Sequence, residues 1–104
     1  LITSIKCTGL TNIVKNRFIS FLGGYGASGS KSLGVSNADT DLGEMIPVTA
    51  KGIALVQSAD AISLGRPIQA TASGKALTQD VGPLEGYALD EAIGADQLIR
   101  ILLS

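Results

Sequence analysis

The chain has no histidine, no tryptophan, one cysteine, and only two tyrosines and two phenylalanines among its 104 residues. Lacking histidine, it is without the commonest general base at neutral pH and the commonest metal ligand. Its serines therefore have no Ser-His-Asp partner set. A lone Cys7 cannot close an intrachain disulfide, so the fold needs no oxidising compartment. Between Ile5 and Leu10 it reads as a small buried hydrophobe, with only Lys6 near enough to lower a thiol pKa. Charge is also scarce, at 16% of residues against a usual ~25%. Eight basic and nine acidic residues give a net charge of −1. They form no basic stripe that could neutralise phosphates, which argues against nucleic acid. No apolar run reaches the roughly 18 residues of a membrane helix, so no membrane partner is expected. The N-terminus lacks a basic stretch leading into an apolar one, so no secretory leader is read. The first residue is Leu1 rather than Met, as expected of a processed or trimmed start.

What is present is apolar and small. Hydrophobic residues make up 45% of the chain, and there are 13 glycines. This length is one domain, and a domain of this size buries only some two-thirds of the surface its unfolded chain exposes. A weakly charged exterior over a modest core implies that part of the surface meets protein rather than water. The composition points to a subunit of an assembly.

One motif recurs three times. Gly34-Val35-Ser36 is followed by a polar loop and Gly43-Glu44-Met45-Ile46-Pro47-Val48. Gly52-Ile53-Ala54-Leu55 is followed by a polar loop and Gly65-Arg66-Pro67-Ile68. Gly86-Tyr87-Ala88-Leu89 is followed by Ile93-Gly94-Ala95-Asp96 and the strand Gln97 to Leu103. Each copy reads as a strand, a turn and a return strand, the pattern of an all-β protein of hairpins. The expected fold is a small β-barrel or β-sandwich with Gly-rich loops and at most one short helix. Residues 1–10 are read as an N-terminal arm or edge strand, and residues 11–104 as a single β domain.

Elsewhere, Asn12 to Leu22 is a β-favouring run with Ile13, Val14, Phe18, Ile19, Phe21 and Leu22. Gly23 to Ser32 is a Gly/Ser loop around Tyr25. Pro47 and Pro67 fall in return strands, so edges or bulges are expected there. A helical turn is possible at Ser58 to Leu64, with Asp60 near its start and Gly65 at its end. Thr71-Ala72-Ser73-Gly74-Lys75 is a turn leading to a short strand from Ala76. The nearly continuous apolar run Gln97 to Leu103 should be central, buried on both faces, or paired at an interface.

Several motifs fall short of chemistry. Gly24-Tyr25-Gly26-Ala27-Ser28-Gly29 has dinucleotide-loop spacing, but Ser30 to Gly34 opens no amphipathic helix to face a pyrophosphate. Read as a P-loop, it has Ser30 where Lys31 should stand. Asp39, Asp41 and Glu44 are too few and wrongly spaced for a calcium loop. Asp90 and Glu91 are neighbours in a strand, so they point to opposite faces and cannot act as one acid–base pair. A Ser-Lys pair at Ser30, Lys31 and Ser32 lies in a loop unable to preorganise it. No enzymatic activity, metal or cofactor is expected.

Taken in order, these pieces resemble the small capsid cement (head decoration) proteins of tailed bacteriophages. The resemblance rests on Arg17-Phe18-Ile19-Ser20-Phe21-Leu22-Gly23-Gly24, then Leu33-Gly34-Val35 with Gly43-Glu44 to Val48. It continues through Gly52 to Val56 and Ile62 to Gly65, then Gly86 to Leu89 with the closing Ile99 to Leu103. It runs from about residue 5 to 103 and departs at Gln57-Ser58-Ala59, where the family often has a Gly-rich turn. The resemblance implies a non-enzymatic accessory protein, made in the host cytoplasm and bound to the outer surface of the expanded head. There it would stabilise contacts between major capsid protein subunits, as a homo-oligomer with a trimer favoured.

The residues expected to make capsid or subunit contacts are Ile2, Ile5 and Leu10 on the N-terminal arm, and Phe21, Leu22 and Tyr25 at the Gly-rich loop. A strand-forming arm can add to a sheet edge of the capsid, and it reads equally as the first strand of the fold. Phe18 and Phe21 read equally as core. The rival reading is a carbohydrate- or receptor-binding β module of a virion tail or fibre, for which so few aromatics are poor material. A small ligand-binding barrel is a further alternative and would require a cavity.

Overall fold

A computed structural model describes residues 2–8, 11–25, 31–80 and 82–103 of the chain. Nine strands form: β1 (Ile2–Lys6), β2 (Phe18–Ile19), β3 (Gly34–Ser36), β4 (Met45–Thr49), β5 (Ile53–Gln57), β6 (Pro67–Ala70), β7 (Ala76–Thr78), β8 (Gly86–Ala88) and β9 (Leu98–Leu103). They build a four-stranded sheet in the order β1-β4-β3-β2 and a five-stranded sheet in the order β5-β9-β8-β6-β7. Every pairing is antiparallel. The two sheets stack as an open sandwich without barrel closure, and no helix occurs among the described residues.

The core divides in two. Between the sheets lie Phe18 and Val35 from the first, against Ala54, Val56, Ile68, Ala88, Ile99 and Ile101 from the second. Behind the four-stranded sheet, Ile19, Ile46 and Val48 pack on Cys7 and Ile13, with Ile5, Tyr25 and Leu33 at the margin. Period-2 alternation explains the split, since adjacent strand residues point to opposite faces. On the two-residue strand β2, Phe18 enters the first core and Ile19 the second, and both are fully buried. Cys7 is buried as its neighbours predict.

The three repeated units do not fold alike. The first pairs β3 with β4, and the third pairs β8 with β9. The second forms no hairpin: β5 pairs with β9, while β6 pairs with β8 and β7. Its two strands therefore straddle the third unit's hairpin. The opening glycines show the same division. A Cβ on Gly34 would lie 2.1 Å from the Thr49 carbonyl oxygen, and one on Gly86 would lie 2.3 Å from that of Leu102. Gly52 has open space instead, at φ 96°.

Three further expectations change, and a fourth is narrowed to one of its alternatives. Of the Asn12 to Leu22 run, only Phe18–Ile19 is strand, joined by a bridge from Ile13 to Thr40. The segment from Ser58 to Leu64 is not helical. The Ser58 hydroxyl bonds Gly94 O (2.8 Å), and Ile62 N–H bonds Ala92 O (2.8 Å), so its polar groups are taken up by tertiary partners. A helix this short has little stability of its own to compete. Pro47 and Pro67 lie in interior strands, at places where no donor is needed. Pro47 faces past the end of β3, its carbonyl accepting from Asn37 N–H (2.8 Å), and Pro67 is the first residue of β6. Finally, β9 is central, yet only Ile99 and Ile101 are buried on it. Leu98, Arg100 and Leu102 face outward.

Candidate interaction surfaces

Among the described residues, three surfaces with exposed apolar side chains are candidates for contact. The first is the outer edge of β1. Cys7 N–H bonds Glu44 O (2.8 Å), which fixes the ladder's parity. Thr3 and Ile5 therefore bond to β4, and the peptide groups of Ile2, Ser4 and Lys6 turn away from it. Ile2 is exposed, whereas Ile5 is half-buried against the second core opposite Ile46. A free strand edge of this kind is a template for an incoming strand.

The second surface is the turn after β2, which docks beside the end of β1. Ser20 N–H bonds Gly24 O (2.8 Å), and Thr8 N–H bonds Gly23 O (3.2 Å). Gly23 sits at φ 84°, where a Cβ would meet the Lys6 carbonyl oxygen at 2.0 Å, so only glycine fits. The turn thereby closes the β1 edge at Lys6 and lifts Phe21 and Leu22 into solvent, at 65% and 82% exposure. Phe18 is core and Phe21 is not. Tyr25 is half-buried: its hydroxyl accepts from Val14 N–H (2.9 Å), and the Arg17 guanidinium lies 5.8 Å from its ring centroid. Leu10 and positions 26–30 of the Gly-rich loop lie outside the described residues.

Arg17 links this region to the other sheet. Its Nε donates to Gln57 Oε1 (3.0 Å), and its guanidinium also donates to Ser73 O (3.1 Å). Glu85 makes a second link. This buried carboxylate accepts from Ser32 N–H (2.9 Å) and lies 3.3 Å from Lys31 Nζ, tying the chain after the Gly-rich loop to the start of β8.

The third surface is the outer face of the five-stranded sheet, a group absent from the sequence-derived site residues. Register aligns Ile53, Leu102, Tyr87 and Pro67 in one row across β5, β9, β8 and β6. Leu55 stands opposite Arg100, and Gln57 opposite Leu98. The readable signal was the β9 run, where apolar residues at 98 and 102 break the alternation expected of a solvated face. Arg100 forks onto Asp90 through Nε (3.0 Å) and a terminal nitrogen (2.9 Å), and its backbone N–H also bonds that carboxylate. These bonds hold the Asp90 carboxyl down at about 2. The Lys75 ammonium lowers Asp96 in the same way.

A shallow cleft of about 620 Å³ opens between the loops before β6 and after β8, lined by Ile62, Ser63, Arg66, Thr78, Glu91 and Ile93 among others. No aromatic ring lines it. Asp39 does not gather ligands with Asp41 and Glu44; it caps Lys15 N–H (2.9 Å). Among the described residues no group of three potential ligands could hold a metal ion.

Such an arrangement defines an all-β module with apolar side chains exposed on its contact surfaces. The family model of phage cement proteins matches residues 2–103, and the chain belongs to that family. It is a capsid decoration protein with its place on the outer surface of the virion head. Among solved structures, it resembles the head fibre gp8.5 N base of bacteriophage phi29 with a TM-score of 0.81. That match has 20% sequence identity and covers 100% of this chain and 95% of the other, a likeness of fold. No curated protein matches the sequence.

Proposed function

We propose that this protein clamps neighbouring major capsid protein subunits on the expanded head, as a homotrimer and without catalysis. The observation that carries this reading is the family match over residues 2–103, coinciding with a sandwich whose β1 edge is bracketed by exposed Ile2 at one end and Phe21–Leu22 at the other. An added capsid strand would bond the outward peptide groups of Ile2 and Ser4, and the flanking apolar side chains would supply buried area. Ile5 and Tyr25 would support this edge from behind or beside it, and Leu10, outside the described residues, is kept as an expected contact. Each contact can be weak, because three linked copies engaging several capsid subunits raise the effective concentration. Three-fold symmetry suits positions where three or six capsid subunits meet.

The aromatic residues supply no platform for stacking sugars. Phe18 is core, Tyr25 is hydrogen-bonded internally, and Phe21 stands on the turn after β2 while Tyr87 stands on the five-stranded sheet.

The test is co-sedimentation with expanded and unexpanded empty shells, followed by heating of the pellets. Selective binding to expanded shells with a raised rupture temperature is expected, and failure to bind either shell would overturn the reading. Because Cys7 belongs to the second core, deleting the arm would damage the fold. Point variants are the better probes. Ile2→Lys and the pair Phe21→Ser with Leu22→Ser should each weaken shell binding at least about tenfold, ~1.4 kcal/mol. The melting of the isolated protein should be unchanged.

A further inference from the structure

We propose that the outer face of the five-stranded sheet is where copies of this chain meet one another. This inference rests on the homotrimer reading above and assigns it a surface. Ile53, Leu55, Tyr87, Leu98 and Leu102 stand on three adjacent strands with exposures of 56%, 48%, 44%, 53% and 44%. Together they leave on the order of 500 Å² of apolar surface on one face, near the top of the ~300–600 Å² that a monomer's largest patch reaches. With Pro67, Gln57 and Arg100 at the margin, the whole face approaches ~800 Å², the area a chain gives up in a stable interface, which each copy of a trimer would divide between its two neighbours.

Three observations select a second copy as the occupant. The outward strand positions of this sheet carry one charged side chain, Arg100, and Asp90 neutralises it through a two-pronged ion pair. A face of one net sign would repel its own copy, whereas this one can face itself. The row Ile53, Leu102, Tyr87, Pro67 runs straight across four strands. Around a three-fold axis each copy would turn such an apolar row toward its two neighbours, and identical chains supply the row on every side. The capsid-directed residues proposed above, Ile2, Phe21 and Leu22, belong to the other sheet and its turn. The face in question points away from that sheet, because the main core fills the space between the two. Copies gathered around an axis through this face would leave every β1 edge free to reach the shell.

The full chain should sediment at three times its 10.6 kDa mass. Leu98→Glu and Leu102→Lys should each reduce it to the single-chain mass while the far-UV circular dichroism spectrum is kept. As a gentler probe, Leu102→Cys in a Cys7→Ala background places a thiol on the face. Its labelling by a water-soluble thiol reagent should be slow at high protein concentration and fast on dilution. The proposal is overturned if the unmodified chain is a single-chain species, if both charged variants keep the assembled mass, or if the thiol labels at the same rate at all concentrations. Protection of that thiol only when shells are added would also overturn it and would give this face to the capsid. Failure of an assembled trimer to bind shells would count against the capsid reading alone.

Discussion

Over β2, β3 and the middle of β4 the four-stranded sheet covers both of its faces with its own chain: Phe18 and Val35 point into the main core, and Ile19, Ile46 and Val48 into the layer around Cys7 and Ile13. The five-stranded sheet covers only one. Its inner positions, Ala54, Val56, Ile99 and Ile101, are buried, and its outer ones, Ile53, Leu55, Leu98 and Leu102, are as apolar yet bare. The contrast shows how a small domain divides its apolar residues. On the inference above, one sheet is completed largely by folding, and the other keeps its second layer for association. Hydrophobic area is equally favourable to bury in either event, so the two destinations cannot be told apart by composition.

The comparison is most severely broken at Phe18, which holds the sheets together. Phe18→Ala should cost ~3–5 kcal/mol, a fall in melting temperature of more than about 10 °C. A smaller loss in a denaturant titration would mean that the sheets are joined elsewhere.

Next come the glycines. Gly34→Ala and Gly86→Ala force a methyl into a neighbouring carbonyl in each sheet and should cost about 1–3 kcal/mol, as overpacking does. Gly65→Ala, at φ 82° with open space around it, should cost only ~1 kcal/mol for its backbone conformation. If all three changes proved equal, the close strand approaches would not be what demands glycine.

A finer test makes the same substitution on two surfaces. Ile13→Val in the second core should lose about 0.5–1.5 kcal/mol. Ile53→Val on the outer face should stay within about 0.5 kcal/mol in dilute solution. A cost that appears at Ile53 only as protein concentration rises would link that face to association.

The smallest effect expected is electrostatic. Asp90 is held at about 2 by Arg100, below the ~3.9 of an unfolded aspartate. Its contribution is therefore present above about pH 4 and is lost as pH falls toward 2. Asp90→Asn should flatten that part of the melting-temperature profile and leave the rest unchanged.

Much of the fold was legible because alternation and glycine are local signals. The strands of the first and third units, the turn at Thr71 to Lys75 and the burial of Cys7 could all be read from a few neighbouring residues. The pairing of β5 with β9 could not. It joins Ile53 to Leu102 across nearly half the chain, and the second unit carries the same local pattern as the two that do form hairpins. The site was legible in part for a similar reason. Phe21 and Leu22 stand beside a glycine turn that had to be a surface feature. Whether Phe21 was core or exposed depended on where Gly23 docks against Lys6. The β9 run left central placement, burial on both faces and pairing at an interface open together, because Leu98 and Leu102 read the same whether the burying partner is one's own chain or another's.

The two-residue strand β2 has a mechanical consequence. Phe18 and Ile19 are consecutive, so one peptide unit is gripped from both sides by different layers. A pull on the β1 edge passes through the Cys7 layer to Ile19, and through the next Cα to Phe18 and the far sheet. There is no soft hinge at that crossing where the layers could shear independently. If the protein clamps the shell as proposed, a shell strained by the genome packed inside it would meet, at each copy, a rivet that resists as a single stiff piece.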